Sequence, residues 1–141
     1  MEISKVRKGL YDTMARAKRD SAERRARTDA ATRAFDSFLN RIAVPLIRQV
    51  VNVLRSENYA FSVSTPSSSV RLTSDKSAED FVDISLDTAG DAPRVMGRVS
   101  WSRGRRVVDV ERVLASGDPE LITEDELLEF LLKELEPFVE R

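Results

Sequence analysis

From Leu10 to Val44 the chain contains neither glycine nor proline, and its apolar residues keep helical spacing at both ends of that run. Ile3, Val6, Leu10, Met14 and Ala17 recur at intervals of three and four, the spacing that places side chains on one face of an α-helix. The stripe stops over residues 18–29, KRDSAERRARTD, where Ala22 and Ala26 are the only apolar side chains, and resumes at Phe35, Phe38, Leu39 and Ile42. A helix over 18–29 has no core to pack on. Charge pairing is the expected support: Asp12, Arg16, Asp20 and Arg24 lie four apart, as do Arg19, Glu23 and Arg27, and Asp29 with Arg33. Each such pair is worth about 0.2–0.5 kcal/mol. One helix from residue 3 to Ser56 would be about 80 Å long at the α-helical rise, so it must either project from the domain or be broken. Pro45 is the expected break, because it lacks the amide hydrogen and crowds the preceding turn. The chain therefore divides into a charged helical arm, residues 1–30, and a single α+β domain, residues 31–141.

Beyond Pro45, Leu46, Ile47, Val50, Val51 and Leu54 form a wide apolar face suited to covering a sheet, and Asn58 is placed to end this core helix. From Tyr59 the period becomes two. Tyr59, Phe61 and Val63 alternate with small polar residues, then Val70 and Leu72, Val82, Ile84 and Leu86, Val95, Val99 and Trp101, and Val108 and Val110, with turn residues between the runs. The segment SDKSAE, residues 74–79, reads as a polar loop. Five short strands in sequence order predict an antiparallel meander with one face packed and one wet. Thr123 and Glu126 then form a capping box, Ile122 and Leu127 occupy hydrophobic-staple positions, and Leu127, Leu128, Leu131, Leu132, Leu135 and Val139 make one broad stripe. The expected architecture is α+β: a projecting N-terminal helix, a core helix, a five-stranded antiparallel meander and a C-terminal helix, both core helices on one face of the sheet.

The chain of 141 residues has no Cys and no His. Ser-His-Asp and Cys-His nucleophiles, thiolate metal sites and ordinary zinc sites are excluded together, which moves the weight from catalysis toward binding; no catalytic residue, metal ligand or cofactor is assigned. The formal net charge of −1 conceals a polarity. Residues 1–57 carry 13 basic and 7 acidic side chains, whereas residues 118–141 carry 2 and 9. No stretch approaches the roughly 20 apolar residues of a membrane span, and the charged amino terminus lacks the apolar core of an export signal, so a cytoplasmic protein is expected.

Three binding chemistries remain. The stripe Ile3, Val6, Leu10, Met14 and Ala17 is too far along the helix to join the domain core, so it is expected to bury itself in a second copy, giving a homodimer, or in another protein partner. Nucleic acid is the alternative, contacted through Arg16, Arg19, Arg24, Arg25 and Arg27 on the helix and through Arg98, Arg103, Arg105 and Arg106 around a hairpin, where Trp101 could stack on a base. Against it, internally paired charges and a solvated turn account for the same residues. A small ligand between helices and sheet, in a pocket lined by Phe61, Trp101 and Leu131, is the third. Asp80, Asp83, Asp87 and Asp91 are expected on the wet face, solvated, with Asp109 and Glu111 likewise.

Overall fold

The computed structural model describes residues 1–140. Helix α1 spans Ile3–Phe38, a π-helical turn follows over Leu39–Ala43, and α2 spans Val44–Ser56. The backbone stays in the right-handed helical region through both junctions, with φ/ψ of −58°/−49° at Leu39 and −63°/−47° at Val44. Pro45 therefore does not break the helix, contrary to the expectation from sequence. The wide π turn lies just ahead of it, and Pro45 falls at the start of α2, where a missing N–H is least costly and a fixed φ suits the helix. Phe35 and Phe38 anchor this junction, stacked with centroids 6.1 Å apart and both buried.

Asn58 ends α2 as its sequence position predicts. Its φ is +70°, its N–H donates to the Arg55 carbonyl, and the Tyr59 N–H donates to the Leu54 carbonyl at 2.8 Å. These two bonds are the Schellman pattern, which satisfies carbonyls the last helical turn leaves open.

The five strands are β1 (Phe61–Ser64), β2 (Val70–Ser74), β3 (Ser77–Asp87), β4 (Arg94–Arg103) and β5 (Arg106–Val113), paired antiparallel in sequence order. Strand β3 begins earlier than hydrophobicity indicates, and most of the expected 74–79 loop is strand. Polar bonds hold this end in place of apolar packing: Ser100 donates to the Glu79 carbonyl at 2.6 Å, and Asp80 accepts from the Ser102 N–H at 2.8 Å and the Ser102 hydroxyl at 3.0 Å.

Register sets the two faces of the sheet. Val63, Leu72, Val82, Val99 and Val110 are successive cross-strand partners and form one row of the inner face. One residue along, Ser64, Arg71, Asp83, Arg98 and Glu111 form the matching row of the outer face. Since side chains alternate, a shift of one residue would bury the charged row, so the register is strongly specified. Helix α2 and helix α3 (Glu124–Glu134) both cover the inner face, where Leu46, Ile47, Val51 and Leu54 share one core with Leu127, Leu131 and Leu135. The capping box forms, with Glu126 N–H donating to Thr123 Oγ1 at 3.2 Å and Thr123 N–H to Glu126 Oε1 at 3.0 Å. A short helix α4, Glu136–Val139, sets Phe138 edge-on against Phe61. Arg112 on edge strand β5 reaches the buried Glu134 at 2.9 Å and ties α3 to the sheet. Among the described residues no helix is long and apolar enough to cross a membrane.

Candidate interaction surfaces

Residues 1–27 are exposed throughout, and burial begins only where α1 meets the domain. Within this arm Ile3, Val6, Leu10 and Met14 are exposed by 76%, 48%, 57% and 48%. The stripe that the sequence places on one face thus meets no core of its own chain. The charge ladders expected to support the arm do not form: among the described residues no ion pair joins any of these arm side chains. Exposed pairs gain little in water and immobilise two long side chains, so solvation competes successfully. What remains to sustain the helix is propensity, because Ala, Arg, Lys, Glu, Met and Leu are strong helix formers and dominate the segment. Arg16, Arg19, Arg24, Arg25 and Arg27 are all exposed.

A second apolar surface lies on the domain. Leu46, Val50, Val53 and Leu54 of α2, Leu128 and Leu132 of α3, and Leu135 and Val139 just beyond it line an open groove of about 390 Å³. Val53 and Leu132 are 63% and 64% exposed. Both helices have apolar faces wider than the sheet can cover, and the surplus of each meets here. The sequence signal was present in the breadth of the two stripes, but which residues exceed the core depends on how the helices lie.

The outer face of the sheet is polar yet partly closed. The Arg71 guanidinium carbon sits 4.2 Å from the centroid of the Phe81 ring and that of Arg98 sits 5.4 Å away, so the ring is covered by two cations and is 8% exposed. Asp83 lies 3.5 Å from Arg71 and is itself buried, with Oδ1 unpartnered, as is Arg71 Nε. The expectation that Asp80 and Asp83 are simply solvated is therefore incorrect. Asp83 is buried beside Arg71, and Asp80 is used to hold β4. Neither Arg71 nor Phe81 stood out in the sequence, because a cation over a ring is created by cross-strand register and leaves no motif.

Arg98 binds Asp109 in a bidentate pair, with Nη2 to Oδ2 at 2.6 Å and Nε to Oδ1 at 3.0 Å. The hydrogen bond from Arg98, outweighing the opposing effect of desolvation, holds the Asp109 carboxyl below the ordinary range and the Arg98 guanidinium above its own. A carboxyl with a depressed folded pKa stabilises the fold above its unfolded pKa, and that contribution disappears as pH falls through the folded value. Arg98→Ala is expected to raise the Asp109 pKa toward that of a free aspartate, read directly from its carboxyl carbon shift in an NMR pH titration. An unchanged midpoint would show that the pair is absent in solution.

Arg103, Arg105 and Arg106 surround the exposed β4–β5 turn, where Gly104 adopts a φ of +66°. Trp101 lies on the inner face packed against the core, and Arg98 lies on the opposite, outer face. Phe61 lines an open cavity of about 490 Å³ with Tyr59, Asp80, Ser102 and Phe138, whereas Leu131 lies in the buried core and Trp101 packs against it, so the three do not line one pocket together. Among the described residues no group of three or more carboxylates is placed to hold a metal ion. Comparison with protein-family models, with curated proteins and with solved structures gives no match to this chain.

Proposed function

We propose that this protein is a non-enzymatic interaction module that self-associates through the apolar stripe of α1. The observation that carries the reading is a helical arm with Ile3, Val6, Leu10 and Met14 on one face, all exposed. Helix alone does not require that pattern. Fully burying one such side chain is worth about 1.5–3 kcal/mol, so four together amount to a binding surface. Light scattering on the full chain is expected to give a dimeric mass, and deletion of residues 1–27 a monomeric one. The core, which starts at Phe35, should keep its circular dichroism in the deletion. Monomeric mass both before and after the deletion would end the proposal.

Nucleic-acid contact is the second reading, favoured by the exposed and unpaired arginines of the arm. Phosphate tracking needs no apolar stripe on the same helix, and the stripe is why self-association is preferred.

A further inference from the structure

The arm cannot reach the groove of its own chain. From Leu10 the helical path runs through α1, the π turn and α2 without reversing, and Val50 in the groove lies 40 residues further along it. At the helical rise that is about 60 Å. The occupant of the groove, if it is an arm, belongs to another molecule.

Chemistry matches the two surfaces. Both present leucine and valine side chains left open to solvent. Arg7 follows Ile3 by four residues and Lys18 follows Met14 by four, so cations border the stripe of the arm. Glu129 precedes Leu132 by three and Glu136 follows it by four, so carboxylates border the groove. All four charged residues are exposed. The two surfaces are also of similar extent in the chain: the stripe covers 12 residues of α1, Ile3 to Met14, and the groove wall 12 residues from Leu128 in α3 to Val139 in α4.

We infer that the apolar stripe of α1 seats in the α2–α3 groove of a second copy of this chain, and that reciprocal exchange of the two arms closes the dimer. Cations then lie along carboxylates at the rim while the apolar faces meet between them, the arrangement in which charge fixes orientation and apolar burial supplies affinity. The inference rests on the self-association proposed above, and the full-length protein tests the two separately. Leu10→Asp probes the arm and Leu132→Asp probes the groove; both positions are exposed, so circular dichroism should remain that of the parent. Sedimentation is expected to show the dimer dissociation constant raised tenfold or more by either substitution. The absence of cysteine adds a direct readout: Leu10→Cys and Leu132→Cys proteins, mixed and oxidised, should yield a disulfide-linked heterodimer. Charge reversal at Glu129 and Glu136 should likewise weaken the dimer and be restored by mixing with an Arg7→Glu, Lys18→Glu chain. If Leu10→Asp dissociates the dimer but Leu132→Asp leaves it intact, and Leu10→Cys links only to itself, the arms pair with each other and the groove assignment is overturned while self-association stands. A monomeric parent would overturn both.

Discussion

Replacing Phe38 by alanine is expected to lower folding stability by about 3–5 kcal/mol, the range for deleting a large aromatic side chain from a core that relaxes only partly around the cavity. Phe38 is completely buried, stacks on Phe35, and stands at the point where α1 passes into the π turn. Its loss removes apolar burial at the base of the arm and leaves the junction without its packing partner. Urea denaturation provides the measurement: the midpoint should fall with the slope unchanged, as expected when stability changes and the exposed surface does not. Asn52→Ala, on the same helical path but exposed and outside the groove, should shift stability by no more than about 0.5 kcal/mol. Equal losses at the two positions would contradict the burial described for Phe38.

Gly97→Val is expected to cost about 1–3 kcal/mol, through overpacking and not through a cavity. Gly97 is on the inner face of β4, opposite Ile84 on β3 and Arg112 on β5, and the ring of Phe130 from α3 occupies the place a Cβ would take. The glycine here admits close approach of a helix to the sheet, since no unusual backbone angle is required of it. A double-mutant cycle identifies the cause. In a Phe130→Ala background the same substitution should cost clearly less, giving a coupling of about 0.5–3 kcal/mol as for other residues in contact. Additive costs would show that the ring is not what Gly97 accommodates.

Several features of the fold follow from short-range rules and were legible without coordinates. The period-two runs from Phe61 to Val110 name the inner-facing residues of every strand, because side chains of a strand alternate by geometry alone. Thr123 and Glu126 mark the start of α3, and Asn58 marks the end of α2, because capping is completed within a few residues of chain. The structure departs from the sequence pattern where competing local signals are decided by distant partners. Pro45 is a strong break signal, yet the π turn before it and the buried Phe38 carry the helix past it. Residues 77–79 have loop composition, but pairing of Ser77 with Ser74 on β2 and the bond from the Ser100 hydroxyl to the Glu79 carbonyl hold them as strand. The ladder of charges on the arm has ideal spacing, but spacing supplies only opportunity, and water supplies an equivalent environment.

The candidate surfaces divide in the same way. Ile3, Val6, Leu10 and Met14 were readable as one face from their spacing. That this face stays open to solvent is a tertiary fact, resulting from a helix that continues through the π turn into α2 without reversing and so carries its first half away from the core. The groove was hidden in sequence, because Leu132 and Leu131 belong to one stripe and only the position of α3 on the sheet exposes one and buries the other.

By itself the sequence determined the kind and order of the elements, the inner face of each strand and the separation of basic from acidic ends, since periodicity, caps and charge are properties of neighbouring residues. Tertiary structure decided which members of each apolar face are left uncovered, which carboxylates are enclosed and which cations meet a ring. Those outcomes depend on register and on the angle at which one element lies against another, and residues far apart in the chain set both.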